Sequence, residues 1–115
     1  MPQRLSDAVG LEDFVHSHPM CALYFTAPGC TVCKALKPKL IDMLAEDFSE
    51  IRFGEVDCAL SPALAAGYSV FTVPTLIVFT LGKESLRRSR SFGLGALASE
   101  LARPYSLVYG DPAAS

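Results

Sequence analysis

Residues 26–34 read TAPGCTVCK, from Thr26 to Lys34, and carry two of the chain's four cysteines, Cys30 and Cys33, with two residues between them. The run before it, MCALYFTA (20–27), is continuously apolar and of strand length, and it stops at Pro28-Gly29. That composition suits a strand buried on both faces. After the cysteines, Leu36, Leu40, Ile41, Leu44 and Phe48 recur among lysines and acids, the pattern of a long amphipathic helix. Pro38 inside it removes a backbone hydrogen bond and is expected to kink it. The cysteine pair therefore sits where a buried strand passes into a helix. By spacing alone it is a redox couple, half of a metal site or an accident of composition.

Further along, the order of elements follows from periodicity and punctuation. Val9, Leu11, Phe14 and Val15 predict a first helix over Asp7–His16, stopped by SHP (17–19). Ile51–Asp57 is a strand candidate. In SPALAAGY (61–68), Ser61 as cap and Pro62 at the first position predict a short helix. Residues 70–93 give two β runs joined through Leu81-Gly82-Lys83, a hairpin. Leu94, Leu97, Ala98 and Leu101 share one face of a last helix, which Pro104 is expected to end, leaving residues 105–115 as a C-terminal tail to a domain spanning 1–104. A strand–helix–strand crossover at the front implies parallel pairing, and the hairpin implies antiparallel pairing. The predicted fold is thus α/β, with a mixed four- to five-stranded central sheet and helices on both faces.

Composition narrows the function. The chain has 115 residues, half of them apolar and 19% charged, with a net charge of −2. One domain with its own core is expected. The weak charge offers no field for nucleic acid or acidic membrane, and no apolar run reaches the roughly 18 residues of a membrane span. The first 16 residues carry acids where a signal peptide carries an apolar core, so a cytoplasmic location is expected. Reducing pools there disfavour structural disulfides. A zinc site would need two ligands beyond Cys30 and Cys33. Cys21 lies nine residues before Cys30, about 3.3 Å per residue along the strand, hence at the opposite edge of the sheet. Cys58 is near the right edge but brings the set only to three. His16 and His18 at a helix end read as solvated, and the arginines of RRSR (87–90) as edge-strand charges that deter pairing.

Together, CTVCK after a buried strand, Pro38 five residues beyond the second cysteine, and VPT (73–75) at the mouth of a later strand resemble the thioredoxin family, from about Leu11 to Arg103. Two positions depart from its usual pattern: Gly29 stands for the tryptophan before the first cysteine, and Tyr24 for a buried aspartate. The lysine that often accompanies that aspartate is matched with Phe53.

The resemblance implies a thioredoxin fold and a thiol–disulfide oxidoreductase that reduces protein disulfides without a bound cofactor or metal. Cys30, at the helix start, is the expected nucleophile, because unpaired N–H groups and the helix dipole favour its thiolate, with Lys34 adding a charge one turn on. Cys33 is the expected resolving thiol. Pro74 is expected to be cis, with Thr75 beside it, and Val73, Pro74 and Gly29 to meet the substrate chain as an added strand would. Tyr24, a phenol titrating near about 10, is a poor substitute for an acid, so slow resolution is expected. Implied partners are disulfide-containing proteins and an upstream reductase, met by a monomer. A redox-switched binding module without turnover, and a structural or metal-handling module in which the cysteines never cycle, are the competing readings.

Overall fold

The computed structural model describes residues 2–90 and 92–110. Its elements are β1 (Gln3–Arg4), α1 (Ala8–Ser17), β2 (Met20–Thr26), α2 (Thr31–Asp47), β3 (Arg52–Asp57), α3 (Pro62–Gly67), β4 (Thr75–Thr80), β5 (Lys83–Ser89) and α4 (Leu94–Tyr109). The five strands form one sheet in the order β1-β3-β2-β4-β5. β3 runs parallel to β1 and β2, whereas β4 is antiparallel to both β2 and β5. The sheet is mixed, as the crossover and the hairpin require.

Alternation along β2 divides the core. Cys21, Leu23 and Phe25 face α1 and α3, where they join Leu11, Phe14, Val56, Leu64 and Ile77. Met20, Ala22 and Tyr24 face α2 and α4, with Leu40, Leu44, Leu76, Leu97 and Leu101. Every one of these β2 side chains is fully buried. A strand covered on both faces needs apolar residues at consecutive positions, which is why its sequence shows no alternation.

The hairpin turns on Leu81 and Gly82 alone, at φ 53° and 82°, while Lys83 already pairs with Thr80 in β5. Positive φ at both central residues is the geometry that matches the twist of the flanking strands.

Two elements differ from the sequence expectation. β1 was not foreseen: it has two residues with exposed side chains and no periodicity to read. α4 does not stop at Pro104 but continues to Tyr109, so residues 105–109 belong to a packed helix rather than to a tail; positions 111–115 of the expected tail lie outside the described residues. A proline inside a helix costs about 3 kcal/mol or more. Packing offsets it: the Tyr105 ring meets Phe48 edge-on at 5.1 Å and Tyr109 at 4.9 Å, and Val108 packs on the core. The Tyr105 hydroxyl also accepts a hydrogen bond from the Glu50 N–H at 3.2 Å.

Candidate active site

The ends of β2 and β3 and the start of α2 meet at one edge of the sheet. β2 leaves the sheet through Ala27-Pro28-Gly29-Cys30, a turn closed by the Cys30 N–H donating to the Ala27 carbonyl at 3.2 Å. Proline at the second position and glycine at φ 83° at the third are what a type II turn demands. Gly29 therefore has a local reason: a tryptophan there would occupy left-handed backbone at a steric cost.

That turn delivers Cys30 to the N-cap of α2, where its sulfur accepts the Cys33 N–H at 3.2 Å. A sulfur in this position satisfies one of the helix's unpaired donors and is held where negative charge is favoured. Cys30 and Cys33 are joined by a disulfide, with their Cα atoms 5.3 Å apart. Cys30 is half-buried; Cys33 is 1% exposed. Lys34 points into solvent.

Tyr24 lies beneath the pair, its hydroxyl donating to the Cys33 carbonyl at 2.9 Å. Burial, reinforced by the charge of Glu55, pushes its phenol up to about 12, so it is neutral at physiological pH. The residue opposite Tyr24 on β3 is Glu55; Phe53 lies one pleat away, with its ring 5.9 Å from that of Tyr24. Glu55 is 5% exposed and is bound by the Lys37 ammonium at 2.6 Å and more loosely by Arg4 at 3.5 Å. The three charged groups border a cavity of about 310 Å3 that Cys33, Lys34 and Asp57 also line.

On the other flank the Val73–Pro74 peptide is cis, as the resemblance implies, and Pro74 is buried. Thr75, 3% exposed, donates its hydroxyl to the Thr72 carbonyl at 2.8 Å and so ties down the loop that holds the proline. Val73 borders a mostly apolar cavity of about 400 Å3 with Ala27, Cys58 and Phe71. Burial, then the neighbouring Asp57 carboxylate, pushes the Cys58 thiol up. Cys21, in the core of the other sheet face, is pushed up to about 12 by burial. Pro38 lies on the exposed side of α2, within a helix that continues to Asp47.

Most of the expected residues converge on this edge. Lys34, expected to add a charge one turn on from Cys30, is exposed, and a different cation, Lys37, one helical turn beyond Cys33, reaches an acid beneath the pair. Glu55, Arg4 and Lys37 were missed. For Lys37 the signal was present in the i, i+4 spacing from Cys33. For Glu55 it was an acid set inside the strand, between Gly54 and Val56, rather than at its end like Asp57. Arg4 left no sequence signal. Among the described residues, no group of three or more His, Cys, Asp or Glu could hold a metal, and no helix is long and apolar enough to cross a membrane.

The Thioredoxin family model matches residues 6–102. The chain belongs to the thioredoxin family. It is 36% identical to the thioredoxin-like protein YdfQ of Bacillus subtilis, over 93% of this chain and 95% of that one. It superposes on a thioredoxin mutant from Halobacterium salinarum with a TM-score of 0.81 at 25% identity, covering 90% of each chain. It is also 27% identical, over 84% of its length, to part of a bifunctional thioredoxin reductase/thioredoxin of Mycobacterium leprae, of which it covers 21%. With the Cys30–Cys33 disulfide in place, this thioredoxin-family chain is a thiol–disulfide oxidoreductase.

Proposed function

We propose that the protein reduces disulfides in other proteins in the cytoplasm and is itself re-reduced by a separate reductase. One observation carries the reading: the Cys30 sulfur is the reachable one and caps α2, while Cys33 is buried behind it. The Cys30 thiolate attacks a substrate sulfur, and Cys33 then attacks Cys30 to release the reduced substrate. Val32, about half exposed, and the Val73–Pro74 loop flank the pair, offering an apolar margin and a backbone edge to a protein chain. The M. leprae relative, whose name joins a thioredoxin reductase to a thioredoxin, supports a reductase as the electron source.

The test is continuous turnover of a protein disulfide with NADPH and a thioredoxin reductase, with trapping by single-cysteine variants alongside. Sustained NADPH oxidation is expected, with mixed disulfides accumulating on Cys33→Ser and none on Cys30→Ser. One stoichiometric round and no more would favour the redox-switched binding module. Equal trapping by both variants would reverse the roles assigned to the cysteines.

A further inference from the structure

Cys33 has to lose a proton before it can resolve a mixed disulfide, and at 1% exposure the candidates to receive it are the groups that line the cavity beside it. The groups around it differ in fitness. The Tyr24 hydroxyl is committed to the Cys33 carbonyl and is neutral. Asp57 borders the same cavity, but its Oδ1 accepts the Ala59 and Leu60 N–H groups at 2.9 and 3.2 Å and so caps the turn after β3. Lys34 and Lys37 are donors. Glu55 remains: a buried carboxylate, placed by strand register opposite Tyr24, its charge compensated by Lys37 and Arg4 and its side chain bordering the cavity that Cys33 lines.

We propose that Glu55 accepts the Cys33 proton during resolution, through water held in this cavity. The inference rests on the oxidoreductase reading above. At about 310 Å3, with charged walls, the space is roomy and polar enough for several waters. The first step joins Cys30 to one substrate sulfur and releases the other as a thiolate. Cys33 then passes its proton to Glu55, and its thiolate attacks the Cys30 sulfur. The Cys30–Cys33 bond forms, the Cys30–substrate bond breaks, and the electron pair leaves with the substrate sulfur. The substrate disulfide gains two electrons and the protein dithiol loses two. Glu55 returns its proton to solvent past Arg4, whose side chain is 67% exposed. Its ion pairs with Lys37 and Arg4 hold the carboxylate at the wall of the cavity that Cys33 lines.

The two steps separate in a stopped-flow reaction of reduced protein with the aromatic disulfide DTNB, followed across pH in a Cys58→Ser background. The first release of thionitrobenzoate reports Cys30 attack, and the second reports resolution by Cys33. Glu55→Gln should leave the first phase in place, slow the second about a hundredfold at pH 7, and abolish its inflection on the acid side. Lys37→Met should keep that inflection and move it to higher pH, since the carboxylate loses its cation. A structural role for the pair predicts no such movement. Should Glu55→Gln fold poorly with Lys37 left unpaired, Glu55→Gln with Lys37→Met removes both charges and should lack the inflection that Lys37→Met alone retains. A second phase unchanged in Glu55→Gln, or lost in Asp57→Asn instead, overturns the assignment. A wild-type protein with no second phase overturns the oxidoreductase reading as well.

Discussion

Tyr24 and Phe25 are neighbours in β2, both with no exposed surface, yet they belong to different chemistries. Phe25 faces the α1 and α3 side, a mainly apolar layer whose fully buried thiol, Cys21, is pushed up to about 12 by burial, while the half-buried Cys58 packs at its margin. Tyr24 faces the α2 and α4 side, where its hydroxyl, the Glu55 carboxylate and the Lys37 ammonium gather below Cys33. Cys21 and Cys33 are equally inaccessible. Burial therefore does not decide which thiol works; the groups that share the site do, together with the helix end that holds its partner sulfur. β3 repeats the lesson, with Glu55 on one face and Val56 on the other.

The contrast is open to direct attack. Its largest expected effect comes from exchanging the thiols. Cys33→Ala should end turnover in the reductase-coupled assay, whereas Cys21→Ala should leave the rate within about twofold, because a neutral buried thiol acts as a small hydrophobe. A comparable loss from Cys21→Ala would show that the apolar face takes part in the chemistry.

Next in size is a core truncation on the apolar face. Phe25→Ala should cost about 3 to 5 kcal/mol in urea unfolding, the usual consequence of emptying an aromatic site. Where the variant remains folded, its DTNB phases should match those of the wild type. Altered resolution in that variant would mean that the two faces are coupled through the sheet.

The smallest effect expected is that of Tyr24→Phe. At pH 7 it removes one buried hydrogen bond, worth about 1 kcal/mol. The pH dependence is more telling. The phenol is held above its unfolded value of about 10 and reaches about 12, so its contribution is fully present below pH 10 and is lost as pH rises through 12. The phenylalanine variant has no such term to lose, so the two stability curves should converge between pH 10 and 12. Parallel curves would show that the hydroxyl is not where the structure puts it.

Much of the fold was legible because its signals are local. The β2 run, the α2 stripe and the Leu81-Gly82 hairpin each lie within a dozen or so residues. In the sequence Pro28-Gly29 marks the end of a strand and Gly29 stands for a tryptophan; the structure adds the physical reason, since Pro28 and the φ of 83° at Gly29 are the two halves of a single turn type. Pro104 misled for the complementary reason. As a local signal it ends helices, but Tyr105 packs against Phe48 from a distant part of the chain, and that contact carries the helix past the proline.

By itself the sequence determined the order of elements, the mixed sheet and the position of the cysteine pair at a strand–helix junction. Periodicity, turn chemistry and the i, i+3 spacing act over one or two turns of chain and need no knowledge of neighbours. Tertiary structure alone decided which acid stands opposite Tyr24, that β1 adds to the sheet edge, and that Arg4 reaches Glu55 across 51 residues of sequence. Register and long-range pairing depend on how separate segments pack together, and a slip of one residue in β3 would have turned Val56 toward Cys33 and Glu55 into the apolar layer.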